Sequence, residues 1–191
     1  SRFEERVLIS ANDGFTLLGA NCPTTYFGDR IGSYDIACAL APTIPPEFDS
    51  SQASKLRSDL AIDYARDHVG RLPLVAGARL ARLWLVFDVG HEVAGGPGEG
   101  RPEAAMWFGV AQCWLLVPFA VYGLTRIARR DRWFLLAVPA ISTIAGVLIA
   151  AYWRIRVPAD LTLLIAAAVG LDALARRPER TVPQASEIVA V

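Results

Sequence analysis

Two residue types that would suggest familiar binding chemistry are scarce in this chain of 191 residues. Lys55 is its one lysine, and basic and acidic residues balance at 19 each, whereas a nucleic-acid binder needs a clustered basic surface. The two histidines, His68 and His91, lie far apart, and no Cys-x-x-Cys pair occurs, so no metal-ligand spacing is present. We therefore expect neither a nucleic-acid partner nor a metal site.

Several enzyme motifs are also lacking. The glycine-rich stretch at 95–100 has no strand pattern before it and no lysine after it, so it does not predict a phosphate-binding loop. No serine or cysteine can be matched with a base and an orienting residue. We assign no catalytic residue and no cofactor to this part of the chain; a divalent cation in a longer parent enzyme stays open.

Apolar residues are in excess, at 53 % of the chain, and they concentrate after residue 104. Residues 104–125 and 133–153 are free of charge, and 157–175 carries only Asp160 and Asp172 near its ends. A bilayer core about 30 Å thick needs about 20 helical residues. The sequence predicts a mainly α membrane protein with transmembrane helices at these three ranges. The alternative is three buried helices of a large soluble core.

Arginines indicate the orientation of the predicted spans. Four of them lie between the first two spans and three follow the last one, whereas Arg154 and Arg156 are the only ones between the second and third. Because positive residues collect in the cytoplasm, we expect residues 1–103 to be extracytoplasmic. Residues 178–191 are then a short cytoplasmic tail, which we expect to be disordered.

The extracytoplasmic segment is expected to be α-helical with some β-structure. The apolar pieces Val7–Ile9 and Phe15–Leu18 flank an Asn-Asp-Gly sequence, which is typical of a turn and favours a small hairpin. A helix is predicted from a cap at Asp49, Ser50 or Ser51 to about Val69, where Gly70 stops it.

Cys22 and Cys38 lie in this first segment, while Cys113 falls in the first span. If the segment faces an oxidising compartment, we expect the first two to form a disulfide. The alternative is two free thiols in a cytoplasmic domain, which would also invert the predicted topology.

Residues 71–90 form the most amphipathic stretch. At about 100° per residue, Arg71, Arg79 and Arg82 fall on one side of a helix whose remaining surface is apolar. We expect this helix to lie at the membrane surface, with its arginines on lipid phosphates and Trp84 at the boundary. The alternative is a core helix of the outer domain. Residues 90–100 are predicted to be a flexible link into the first span.

The predicted connection between the second and third spans holds a further candidate site. Arg154 and Arg156, two residues apart in a tight turn, would form a clamp for a phosphate, because a guanidinium binds two phosphate oxygens at once. Asp160 would orient Arg156 or accept a substrate hydroxyl, and Tyr152 lies beside the pair. The alternative is ordinary anchoring of the chain at the membrane interface.

In the order of these signals, the chain resembles the C-terminal part of bacterial, especially actinobacterial, polytopic glycosyltransferases of the type-C fold, akin to polyprenyl- and dolichyl-phosphate sugar transferases. The resemblance covers most of residues 10–175. The pieces that carry it are Gly19–Cys22 with Tyr26, Gly32–Asp35 with Cys38, Asp67–Pro73, Ala78–Trp84 and Trp153–Asp160.

The resemblance implies a multi-pass enzyme of the bacterial plasma membrane that transfers a sugar from a polyprenyl-phosphate donor to an extracytoplasmic acceptor. It places the catalytic acidic residue upstream, so this chain would be a fragment that packs against earlier helices, and its opening at Ser1 fits that expectation. Arg154 and Arg156 would stabilise the departing lipid phosphate. From the residues alone, a non-catalytic three-span scaffold or partner-binding protein is the alternative.

Overall fold

The computed structural model describes residues 12–95, 100–149 and 153–176. Within these ranges the chain is helical throughout, with no β-strand. The helices are α1 (Asp13–Ala20), α2 (Pro23–Tyr26), α3 (Ile36–Leu40), α4 (Ser50–Asp67), α5 (Leu72–Leu83), α6 (Val89–Gly95), α7 (Glu103–Arg126), α8 (Arg129–Leu148) and α9 (Trp153–Ala175). The predicted tail at 178–191 lies outside the described residues.

Helices α1–α4, residues 12–67, form a region that we call the lobe. The predicted extended piece Phe15–Leu18 is wrong, because these residues belong to α1; Val7–Ile9, the other half of the predicted hairpin, lies outside the described residues. Helix α1 packs on α4, where Ser54 Oγ accepts a hydrogen bond from the Gly14 N–H at 3.0 Å and donates one to Asp13 at 2.7 Å. A run of four apolar residues gives no period long enough to separate helix from strand.

Helix α4 confirms the predicted start at Asp49, whereas it ends at Asp67, before the predicted end near Val69 and the predicted stop at Gly70. Asp49 caps it by accepting hydrogen bonds from the Ser51 and Gln52 N–H groups, and the Gln52 side chain accepts one from the Asp49 N–H. The helix ends at Asp67 and is followed by a 3-10 turn at Val69–Arg71. Reciprocal capping of this kind satisfies amides that the first turn leaves unpaired.

Three helices, α7, α8 and α9, are long and apolar enough to span a membrane. Their large apolar side chains are mostly exposed; the most exposed are Phe134 (72 %), Phe108 (70 %), Leu148 (68 %) and Ile141 (67 %). A soluble protein would bury such side chains, whereas a membrane protein leaves them to lipid or to further helices. The structure therefore supports the prediction of a membrane protein with three spans.

The boundaries of the second and third spans differ from those predicted. Helix α8 ends at Leu148, before the predicted end at 153, and α9 begins at Trp153, before the predicted start at 157. The prediction placed Pro158 at the start of the last span, but it lies inside α9. Prolines are tolerated inside transmembrane helices, so Pro158 does not mark the boundary.

Helices α7 and α9 run in the same direction and cross closely, through small residues. A methyl group added at Gly123 would lie 1.8 Å from the Ala166 carbonyl oxygen, and one at Gly170 would lie 2.1 Å from the Phe119 carbonyl oxygen. Ala120, Ala166 and Ala167 are buried between them. Close approach through glycine and alanine is the usual way in which spans associate without a hydrophobic driving force.

Helix α5 connects the lobe to the spans. Its Arg79 donates hydrogen bonds to the Ala20 carbonyl and the Asn21 side chain in the lobe, and to the Val147 carbonyl near the end of α8 at 3.1 Å. Its last residue, Leu83, packs against Gly146 of α8. The lobe is thus attached to the end of the spans at which α7 and α9 begin and α8 ends.

Candidate functional site

A cavity of about 380 Å³ opens where α7 and α9 begin. Helix α6 and the turn after α5 form its other walls. Its charged and polar lining residues comprise Glu92, Arg101, Gln112, Arg156 and Asp160. The lining residues that lie farthest along α7 and α9 are apolar: Leu116, Leu163 and Leu164. At about 1.5 Å per residue, the lining of α7 reaches roughly 20 Å along that helix from its start. The cavity is therefore amphipathic and extends between two spans.

Arg156 is a buried cation of this cavity that two neighbouring groups hold in place. It is 8 % exposed, and its Nε lies 3.0 Å from the Asp160 carboxylate one helical turn later. Its Nη1 donates a hydrogen bond to the Leu83 carbonyl at 3.4 Å. The hypothesis that Asp160 orients Arg156 agrees with this geometry. A buried guanidinium fixed from two sides is pre-organised to bind anionic oxygens.

Glu92 of α6 supplies a second carboxylate. Its side chain is 16 % exposed and lies 3.4 Å from Arg82, whose own side chain is fully buried and also contacts Asp88 at 2.8 Å. Burial raises the pKa of Glu92, although the nearby Arg82 opposes this shift. The oxygens of this carboxyl group can accept hydrogen bonds from hydroxyl groups.

The predicted clamp of two neighbouring arginines is not formed. Arg154 and Arg156 lie in the first turns of α9 and not in a tight turn. Residues two apart on a helix point about 200° away from each other, so Arg156 lines the cavity while Arg154 is exposed and outside it. Tyr152, the third predicted contact, lies outside the described residues.

The arginines of α5 do not extend outward as predicted. Arg79 and Arg82 are 4 % and 2 % exposed, and Arg82 donates hydrogen bonds to the Ile31 and Asp29 carbonyls in the lobe. The expectation that these two side chains reach lipid phosphates is therefore wrong; they bind the lobe and hold α5 in place. A buried charge must be paired, and the arginine side of this helix packs against carbonyl groups of the lobe.

Arg71 and Trp84 lie at opposite ends of α5. Arg71 donates a hydrogen bond to the Tyr26 carbonyl at 3.1 Å, and its guanidinium stacks on Phe27 with 4.2 Å to the ring centre. The Trp84 indole N–H donates a hydrogen bond to Thr143 of α8 at 3.1 Å. Whether these residues contact a membrane surface stays a prediction, and Trp84 is the one attached to a span.

The predicted disulfide is present. Cys22 and Cys38 are bonded, with 6.3 Å between their Cα atoms, and Cys113 is a free, buried thiol in the cavity wall. Beside the disulfide, Asp35 accepts hydrogen bonds from Thr24 at 2.7 Å and Ala37 N–H at 2.9 Å. Burial alone would raise the pKa of Asp35, but these bonds and Arg30 together hold it below its usual value.

Comparisons with protein-family models, curated proteins and solved structures find no match. The support for the candidate site is therefore its geometry alone. Among residues 12–95, 100–149 and 153–176, no three His, Cys, Asp or Glu side chains lie close enough to hold a metal ion.

Four cavity residues were missed by the sequence analysis: Glu92, Arg101, Gln112 and Cys113. Glu92 lies in the stretch predicted to be a flexible link, but Val89–Gly95 forms α6; residues 96–99 lie outside the described residues. One signal was available, because Val89 and Val93 are spaced four residues apart, as on one face of a helix. Val93 is 2 % exposed, so this short helix is indeed held by apolar packing.

Proposed function

We propose that this chain is the C-terminal portion of an integral membrane glycosyltransferase and that the cavity binds the phosphate end of a polyprenyl-phosphate sugar donor. The observation that carries this proposal is the amphipathic cavity between α7 and α9. Its upper part has two guanidinium groups and two carboxyl groups, and its lower part is apolar. A lipid-linked sugar phosphate has the same order of groups: hydroxyls and anionic oxygens, followed by a hydrocarbon chain.

In this arrangement, Arg156 and Arg101 bind the phosphate oxygens. Glu92 and Asp160 accept hydrogen bonds from sugar hydroxyls, and the first isoprene units lie along Leu116 and Leu163. When the bond between the sugar C1 and the phosphate oxygen breaks, negative charge grows on the leaving phosphate, and the two guanidinium groups stabilise it. The acceptor oxygen forms the new bond to C1, and its proton goes to a base that the resemblance places upstream of this chain.

We further propose that the lobe lies outside the cytoplasm of a bacterium. Two observations support this topology. The arginines between α7 and α8, which include Arg126 and Arg129, lie at the end of the spans opposite the lobe, and such clusters favour the cytoplasm. The disulfide between Cys22 and Cys38 suits an oxidising compartment. The exposed apolar surfaces of α7 and α8 are then available to lipid and to upstream helices of a longer protein.

Protection of Cys113 from a small methanethiosulfonate reagent tests the binding proposal. Cys113 lines the cavity and is the only cysteine outside the disulfide. We expect farnesyl phosphate to slow its modification in the detergent-solubilised chain, and farnesol or inorganic phosphate to do so much less. The variant Arg156→Gln should lose most of this protection, whereas the matched control Arg154→Gln should retain it.

Equal protection by farnesol and farnesyl phosphate, or equal effects of the two variants, would contradict the assignment of the phosphate site. Transfer itself is measured with a polyprenyl-phosphate sugar and the parent enzyme in native membranes. There, Arg156→Gln should lower the transfer rate at least tenfold and Arg154→Gln should lower it far less.

A non-catalytic membrane scaffold is the second candidate function. The pairing of the charged groups favours it, because Asp160 already neutralises Arg156 and Arg82 already contacts Glu92. If the cavity is only a packing feature, no phosphorylated isoprenoid will protect Cys113, and Arg156→Gln will lower stability without any effect on ligand binding. The same labelling experiment therefore separates the two candidates.

A further inference from the structure

The turn that follows α5 has a conformation that is unusual for its sequence. The Leu85 N–H donates to the Arg82 carbonyl at 3.0 Å, and the Val86 N–H donates to the Ala81 carbonyl at 2.8 Å. This is the Schellman arrangement of a helix C-terminus, in which glycine usually occupies the left-handed position. Here Leu85 occupies it, with φ 55°. The turn places Leu85 in the cavity wall and leaves Val86 and Phe87 exposed on the outside.

Three contacts join the helix that precedes this turn to the last turns of a span. Moving along α5, Arg79 contacts Val147 of α8, Leu83 contacts Gly146, and Trp84 contacts Thr143. Helix α5 therefore descends beside α8, and Thr143 lies about 7 Å below the end of α8 at 1.5 Å per residue.

The length of α8 indicates how deep in a bilayer the contact between Trp84 and Thr143 would lie. Its 20 residues extend about 30 Å, which is roughly the thickness of a bilayer core. The lobe-side end of α8 thus lies near the edge of the hydrocarbon, and Trp84 and the turn after it lie inside that edge.

The backbone N–H groups of the turn are paired, as a low-dielectric position requires. The first amides after α5, those of Leu85, Val86 and Phe87, all donate to carbonyls of the helix. Arg82 is fully buried and contacts both Asp88 and Glu92. Irregular backbone at membrane depth is tolerated only where such groups are satisfied. Two of the outward side chains are apolar, Val86 at 63 % and Phe87 at 40 % exposure. The next residue, Asp88, has a side chain that is 34 % exposed and paired with Arg82.

We propose that the turn at residues 85–87 is immersed in the lobe-side leaflet, with Val86 and Phe87 in contact with lipid acyl chains. Leu85 then forms a wall one residue thick between the bilayer and the cavity. This inference depends on the three spans and on the contacts of α5 with α8, and it is independent of what the cavity binds.

A fluorescent probe at Val86 tests the proposal, because the chain offers a matched control. Val69, in the 3-10 turn between α4 and α5, has the same side chain and nearly the same exposure, 64 % against 63 %. Leu115 of α7, at 66 % exposure, marks the lipid face of a span. We would place the environment-sensitive dye NBD at Val86→Cys, Val69→Cys or Leu115→Cys, in a Cys113→Ala background with the disulfide intact, and reconstitute each chain in phosphatidylcholine vesicles.

We expect NBD at residue 86 to resemble NBD at residue 115: blue-shifted, quenched by doxyl-labelled lipids and protected from aqueous iodide. The probe at residue 69 should show the opposite pattern. Iodide quenching at residue 86 equal to that at residue 69 would overturn the proposal, and so would protection from both quenchers, since this would show that protein covers the turn. Formation of the disulfide, measured by its resistance to thiol reagents, verifies that each variant is folded.

Discussion

The lobe and the spans are stabilised in different ways, although one chain forms both. In the lobe, short helices are joined by a disulfide and by side-chain hydrogen bonds, such as those of Ser54 and Asp35. In the spans, α7 and α9 contact each other through glycine and alanine, and their large apolar side chains point outward. The lobe thus depends on covalent and polar links that hold its short helices together. The spans need a surrounding apolar medium, because their own contacts bury little.

Breaking the disulfide is expected to change the stability of the lobe relative to the spans more than any other variant below. A double Cys22→Ser/Cys38→Ser variant should lose about 3 kcal/mol of stability, and the loss should be confined to the lobe. Hydrogen exchange of α1 and α3 should accelerate, while exchange in α7 and α9 stays unchanged. Cys113→Ser is the control and should leave the lobe unaffected. Equal acceleration in lobe and spans would show that the two regions unfold as one unit.

The next largest effect is expected from crowding the contact between α7 and α9. Gly123→Ala places a methyl group against the Ala166 carbonyl, so the helices must separate, at a cost of about 2 kcal/mol. Gly109→Ala on the same helix is the matched control, because nothing lies within 4 Å of the added methyl group. Thermal unfolding in detergent measures both. If the two variants are equally stable, close packing of α7 on α9 is contradicted.

Acid should weaken the lobe before the spans. The folded lobe lowers the pKa of Asp35, so the stability that its carboxylate provides is present above its unfolded pKa of about 3.9. That stability is lost as the pH falls through the lower folded pKa. Asp35→Ala removes the cap of α3 and should cost about 1.5 kcal/mol at neutral pH.

Asp35→Asn keeps the side-chain shape but removes the titrating carboxyl group. The stability of the lobe should therefore depend less on pH in acid. Hydrogen exchange of α3 between about pH 2 and pH 5 measures this change, because the stability is lost below the roughly 3.9 reference value. An acid limb identical to that of the native chain would show that Asp35 does not control the pH response.

The smallest effect concerns the turn where the two regions meet. Leu85→Ala and Leu85→Gly remove the same apolar contacts, so their difference isolates the left-handed backbone. We expect the glycine variant to be more stable by about 1 kcal/mol. At Leu80, within α5, the order should reverse, since alanine is the better helix former. Thermal unfolding of the four variants measures which substitution is more stable at each position. If the alanine variant is the more stable one at both positions, the left-handed conformation of Leu85 is contradicted.

The sequence alone predicts the spans and the cap of α4 well, because both depend on local features. A long run without charge predicts a span from its length, and Asp49 followed by Gln52 predicts a helix start. The disulfide was also predictable once the topology was assumed. These features need no knowledge of distant contacts.

The candidate site was predicted only in part, because its residues come together through tertiary contacts. Arg156 and Asp160 were predicted from their positions, but the start of α9 at Trp153 separates Arg154 from them. Glu92 comes from a glycine-rich stretch that becomes helical when Val93 is buried. Nothing local distinguishes Arg79 and Arg82, which are buried against lobe carbonyls, from arginines that face lipid.

Alkaline carbonate extraction of membranes from cells that express the chain tests the central claim of this account most directly. Carbonate releases proteins that are attached only to the membrane surface and retains those that cross it. We predict that the chain stays in the membrane pellet, because α7, α8 and α9 are long and apolar enough to cross a membrane and expose many large apolar side chains. Recovery of the chain as a soluble protein in the supernatant would contradict it.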